Sequence, residues 1–305
     1  MSDTIHIVCL LPAPTCLNYS TIVEDDIYWN DHITNGGLGI SAERHRATVE
    51  LVSWAAARAR ERREQEQQST STGGIQSIPC EEVPTTNTSP MMFPEEFEFI
   101  TKLMANLKPQ TYLEWGCGTS TSFYPLLASG KVLAIDGYPP WCKQVGEEPR
   151  VKCMSEAERR LHFYCPELLG ADGVSKVTLL EVGKLPVDTP DEDIESAMSI
   201  YVNSLTHSIA ETNVTLFDVA LVDGRFRMQC ALKLLPFLGM DSVLLMHDFW
   251  LRQKAYGVVL EYYHVIGYAR SVVALKKKGD LPKELEHNAY QQYMKREHLT
   301  WFDIA

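Results

Sequence analysis

The stretch Thr111-Tyr-Leu-Glu-Trp-Gly-Cys-Gly-Thr-Ser-Thr121, followed by Lys131-Val-Leu-Ala-Ile-Asp136, constrains this chain more than any other. The first apolar run predicts a buried strand, the glycines a tight turn, and residues 119–129 a helix; the second run predicts a strand closed by an acid. Gly116 and Gly118 carry no Cβ, so the backbone there can bend sharply and approach a ligand closely. That order of elements is how a nucleotide-like cofactor is held.

The same alternation continues to the C-terminal side. Strands are predicted at residues 177–182, 218–223, 242–247 and 271–275, and helices at 191–211, 225–238 and 254–266. Strands that are apolar throughout, separated by amphipathic helices, imply an α/β fold with a doubly wound, mostly parallel sheet covered on both faces. Ligands of such sheets bind beyond the carboxyl ends of the strands. The first five predicted strands end in chemically useful groups: Glu114 with Gly116, Asp136, Glu181, Asp223, and His247 with Asp248. Buried acids are costly without a partner, so their recurrence at strand ends favours a ligand or a metal.

The domain so defined covers residues 91–305 and opens with a helix at Pro94, where Phe93, Phe97, Ile100, Met104 and Leu107 make one apolar face. Residues 1–90 read as an extension. Its segment 41–68 is rich in Ala, Arg, Glu and Gln and predicts a helix, while 69–90 has the Ser, Thr, Gly and Pro content of a linker.

Two cofactor classes use the glycine layout. A dinucleotide fingerprint calls for a third glycine where this chain has Thr121, and Glu114 would repel a pyrophosphate but suit a cationic ligand. Glu114, Gly116, Gly118 and the later Asp136 resemble motif I and the second-strand acid of the class I S-adenosylmethionine-dependent methyltransferases. The resemblance implies a Rossmann-like fold, S-adenosylmethionine as cofactor, a glycine turn along its methionine part and Asp136 on its ribose, with Glu181 as a further cofactor-side residue.

On the acceptor side, Asp223 and Asp248 at neighbouring strand ends could hold Mg²⁺ through oxygen and so activate a substrate hydroxyl. Metal-dependent O-methyltransferases of small molecules place acids similarly, although His247-Asp248-Phe249 departs from their usual second acid or amide. A metal-free route would use His247 as the base, oriented by Asp223 or Asp248. Residues 219–224 and 243–248, with Tyr256, Tyr262 and Tyr263 beyond them, resemble part of the O-methyltransferases that act on glucuronic acid in xylan. Arg225, Arg227 and Arg252 would suit an acidic acceptor. The resulting expectation is O-methylation of a small-molecule or saccharide-like acceptor. The alternatives are an aminopropyl transferase, a non-catalytic protein of the same fold that binds a partner through its extension, and an NAD-linked oxidoreductase.

Composition narrows the partners. Lys plus Arg number 28 against 40 Asp plus Glu, a net charge of −12, which disfavours nucleic acid as a ligand. No apolar run is long enough to span a membrane. The eight cysteines form no Cys-x-x-Cys pair, so a zinc knuckle is not expected; two of Cys142, Cys153 and Cys165 could join in an oxidising compartment. Without a signal-peptide pattern, the expected compartment is the cytosol. Cys117, inside the glycine turn, has no nearby histidine in sequence and is not expected to act as a nucleophile.

Overall fold

The computed structural model describes residues 79–85, 90–173 and 189–299. Seven strands form one sheet: β1 (Thr111–Trp115), β2 (Lys131–Ile135), β3 (Leu161–Tyr164), β4 (Phe217–Val222), β5 (Leu238–Met246), β6 (Tyr263–Ala269) and β7 (Val272–Lys277). Their spatial order is β3-β2-β1-β4-β5-β7-β6. The first five run parallel, and β7 is antiparallel to both neighbours. The helices are α1 (Pro94–Leu107), α2 (Pro139–Gly146), α3 (Pro149–Lys152), α4 (Asp191–Thr212), α5 (Arg227–Lys233), α6 (Gln253–Tyr256) and α7 (Lys283–Asn288).

Alternate side chains of each strand serve opposite faces. Leu113 and Trp115 of β1 join α4 and α5 in one core, through Met198, Tyr201, Cys230 and Ala231, whereas Tyr112 joins Phe97, Ile100 and Met104 of α1 in the other. Both faces are therefore covered, as the continuous apolar runs predict. The order reverses between β1 and β4, and there the crevice lies. Backbone hydrogen bonds continue one residue past the strands: Asp136 N to Tyr164 O, Gly116 N to Ile135 O, Asp223 N to Trp115 O and His247 N to Val222 O. These bonds set Asp136, Gly116, Asp223 and His247 side by side along the carboxyl edge.

Several expectations are corrected. The strand beside β2 is β3, a four-residue segment not anticipated; residues 177–182, with Glu181, lie outside the described residues, as does the helix predicted at 41–68. The helix expected over 119–129 is two short 3₁₀ turns, Thr119–Ser122 and Tyr124–Leu127, because Pro125 has no N–H to continue a ladder. The predicted helix 254–266 stops early: α6 gives way to a 3₁₀ turn and then to β6, which pairs with β7. Residues 79–85 were read as linker, yet Cys80 is fully buried and bonded to Cys153, and Arg150 donates to the Val83 and Glu81 carbonyls. Cys142 pairs with Cys165, one of the pairings left open.

Candidate active site

A cavity of about 540 Å³ opens over the strand ends, and Gly116, Gly118, Asp136, Asp223 and Arg225 all border it. Four of the predicted site residues thus share one wall. Gly116 has φ +103°, and a Cβ there would come within 2.3 Å of the Gly224 amide nitrogen. Only glycine fits, because the turns after β1 and β4 touch. Gly118 is different: a Cβ on it would meet nothing closer than Trp141 at 3.9 Å. The protein's own packing does not require that glycine, and the room it leaves belongs to the cavity. Trp141, from α2, donates its indole N–H to the Cys117 carbonyl at 2.7 Å and so props the turn from outside.

The two acids on this side form no ion pair among the described residues. The Asp136 carboxylate accepts the Tyr138 amide at 3.0 Å, but burial raises its pKa to about 6. Glu114 is fully buried and does not border the cavity. It accepts the Ser120 hydroxyl, and burial, partly offset by hydrogen bonds from Ser120 and Thr121, raises its pKa to about 8. Through the Ser120 bond it ties β1 to the 3₁₀ turn above it. Trp115 is likewise core, packed on Tyr201.

The other side is a closed network of charges. His247 Nδ1 lies 2.7 Å from Asp223 Oδ1 and its Nε2 lies 3.2 Å from Glu96 Oε2. Glu96, in the first turn of α1 and fully buried, also accepts the Phe93 amide and both the amide and hydroxyl of Ser271. Arg227 bridges Asp223 at 3.1 Å and Asp248 at 2.6 Å and donates to the carbonyls of Gly224 and His247; Arg252 pairs with Asp248 at 3.1 Å. Burial by itself would lower the His247 pKa, but the charge of Asp223, with the hydrogen bonds that the ring donates to Asp223 and Glu96, outweighs it and brings the pKa up to about 10. Burial is similarly outweighed at Asp248, where Arg227, His247 and Arg252 bring the carboxyl down to about 2. Asp248 itself sits in the left-handed region, φ 57°.

Asp223, His247 and Asp248 offer ligand atoms within 4.8 Å of one another, the geometry of a metal site. The electrostatics do not fit one. Glu96, Asp223 and Asp248 carry three negative charges, and Arg227, Arg252 and the His247 imidazolium carry three positive ones. A divalent cation would have to displace a guanidinium already bonded to both aspartates. Asp223 and Asp248 are thus engaged by cationic side chains at the place expected for Mg²⁺.

Glu96 and the bridging role of Arg227 were missed in the sequence. An acid in the first turn of a helix ordinarily faces solvent and the helix dipole, and nothing local distinguishes Glu96 from Glu95 beside it.

The sequence matches no protein-family model and no curated protein. Solved structures do match. They include a methyltransferase-like protein from Silicibacter pomeroyi, at 19% identity over 68% of this chain and 97% of that chain, with a TM-score of 0.46. A TehB-like SAM-dependent methyltransferase from Corynebacterium glutamicum matches at 12% identity over 59% of this chain and 86% of that one, TM-score 0.32. A TDP-rhamnose 3′-O-methyltransferase of calicheamicin biosynthesis matches at 13%, covering 63% and 89%, TM-score 0.33. The seven-stranded, mostly parallel sheet with helices on both faces, its order reversing between β1 and β4, is Rossmann-like.

Proposed function

We propose that this protein is an S-adenosylmethionine-dependent methyltransferase acting on an oxygen of a small-molecule or saccharide-like acceptor. The observation that carries the reading is the cavity at the sheet's reversal point, where the glycine turn, Asp136 and Asp223 share one wall and Gly118 leaves room that no protein atom claims. S-adenosylmethionine supplies, when bound, a methyl group made electrophilic by the sulfonium. The chain's residues then have positional tasks. Asp136, with a pKa near 6, is mostly ionised at neutral pH and accepts the ribose hydroxyls. The backbone of Gly116 and Gly118 lets the methionine part lie close. Asp223, bordering the cavity at the end of β4, accepts a hydrogen bond from the acceptor hydroxyl and sets its approach.

His247 is proposed here as a positioning residue. With both ring nitrogens on carboxylates and a pKa near 10, it carries no free lone pair to receive a proton at neutral pH, so the base expected in that place is replaced by a fixed cation behind Asp223. A polyamine acceptor, as in aminopropyl transfer, is disfavoured by the three arginines that border the cavity, Arg225, Arg227 and Arg252. The Cys80–Cys153 and Cys142–Cys165 bridges favour an oxidising compartment over the expected cytosol. Among the described residues no helix is long and apolar enough to cross a membrane.

The test is calorimetric titration with S-adenosylmethionine, S-adenosylhomocysteine, NAD and decarboxylated S-adenosylmethionine, on the wild type and on Asp136→Ala. The expected result is micromolar binding of the first two, abolished by the substitution, followed by acceptor turnover that is indifferent to added Mg²⁺. A folded protein that binds neither would overturn the reading in favour of a partner-binding role.

A further inference from the structure

Three arginines border the cavity, and their circumstances differ. Arg227 is held by two carboxylates and three main-chain carbonyls, and Arg252 by Asp248 and the Tyr256 hydroxyl. Those two belong to the network whose charges cancel without them reaching further. Arg225 stands outside it. Its main-chain N–H approaches the Tyr201 hydroxyl at 3.4 Å and its carbonyl accepts from Cys230, but among the described residues its guanidinium forms no ion pair and donates no hydrogen bond. It follows directly on Gly224, whose turn touches that of Gly116, so the side chain is carried on the firmest part of the cavity floor.

Burial lowers the pKa of Arg225, with only partial compensation from Tyr201 and Asp136. A guanidinium stays charged in proteins, so this one bears a desolvation cost that the polypeptide does not offset. Asp136, across the cavity, is engaged with the Tyr138 amide and does not pair with it. A planar fork of donors on a residue that borders the cavity, with no ion pair among the described residues, matches a carboxylate bidentately.

We infer that Arg225 is the anion subsite of this cavity and receives the carboxylate of a bound small molecule. This rests on the methyltransferase reading only in that both concern the same cavity. Two sources could supply the carboxylate: the amino-acid end of the cofactor, or the acceptor.

The experiment compares wild type, Arg225→Ala and Arg225→Gln, each checked by circular dichroism and a thermal melt. The first arm titrates S-adenosylhomocysteine against 5′-methylthioadenosine, which keeps the nucleoside thioether and lacks the carboxylate. The second titrates 4-hydroxybenzoate against phenol, and D-gluconate against D-glucitol, with and without S-adenosylhomocysteine. A loss of tenfold or more for S-adenosylhomocysteine in both variants, with 5′-methylthioadenosine unchanged, assigns the carboxylate to the cofactor. Unchanged nucleoside binding with loss of a carboxylate probe, but not of its uncharged counterpart, assigns it to the acceptor. If no carboxylate compound binds more weakly to folded variants than to wild type, the inference is overturned. Failure of the wild type to bind either nucleoside would sink the methyltransferase reading alone, since the second arm still reads Arg225 without it.

Discussion

The two ends of the cavity use the same residue types to opposite electrostatic effect. After β1 and β2, Glu114 and Asp136 form no ion pair among the described residues, and burial raises their pKa values to about 8 and about 6. After β4 and β5, Asp223 and Asp248 are matched by Arg227, Arg252 and a protonated His247, and Asp248 falls to about 2. An acid at a strand end is thus no single signal. Where the chain supplies the countercharge, the acid is held ionised and fixed in place, as Asp223 and Asp248 are; where it does not, burial pushes the acid towards its neutral form.

The sharpest way to break the comparison is at the point where its two halves touch. Gly116→Ala would force a Cβ against the Gly224 backbone at a φ suited to glycine, and it should cost more than about 3 kcal/mol in urea denaturation and abolish nucleoside binding. Next comes Arg227→Met, which removes the guanidinium shared by two aspartates and leaves them only His247 and Arg252; about 3–5 kcal/mol should be lost, far more than an exposed ion pair would give.

Titration separates the halves further. His247 has a folded pKa near 10 against 6.5 unfolded, so its stabilisation is full below about 6.5 and disappears as pH rises towards 10. His247→Gln should flatten the fall in melting temperature across that window. Glu114 also has a folded value, about 8, above its unfolded 4.5, so its contribution is full below about 4.5 and lost as pH rises through 8. Glu114→Gln, keeping the Ser120 contact, should therefore make the protein more stable at pH 8 than wild type while leaving it little changed at pH 4.5. The smallest stability effect is expected at Gly118→Ala, within about 0.5 kcal/mol of wild type. There the loss should instead be tenfold or more in S-adenosylhomocysteine affinity, and unaltered affinity would show that the space beside Gly118 is not ligand space.

Much of this was legible in the residues. The inner stretches of β1, β2, β4 and β5, residues 112–115, 132–135, 219–222 and 243–246, are buried and, Glu114 apart, apolar because both of their faces are covered, and such runs stand out in any sequence. β3 did not stand out, since its four residues include the exposed His162 and the half-buried Phe163 and Tyr164 at the sheet's edge. β6 was hidden by coincidence: Tyr256, Leu260 and Tyr263 fall at helical spacing, yet a bulge between Val265 and Gly267 breaks the strand's own alternation. In the site, the groups at the strand ends were readable because the parallel topology lines them up. Their partners were not, because Glu96 comes from α1 and reaches His247 across 151 residues of chain, a distance no local pattern encodes.

The contact between the Gly116 and Gly224 turns has a consequence for how the molecule is made. Asp218, at the start of β4, accepts the amide hydrogens of Gln110 and Thr111 across 108 and 107 residues, and the cavity's floor closes only when β4 has docked against β1. A nascent chain that has emerged through α3 owns the glycine turn and Asp136 but no opposing wall. No nucleoside can stabilise that half-made protein, so the early segments must be held by their own packing until the later ones arrive, and a ligand can only act as a latch on the finished fold.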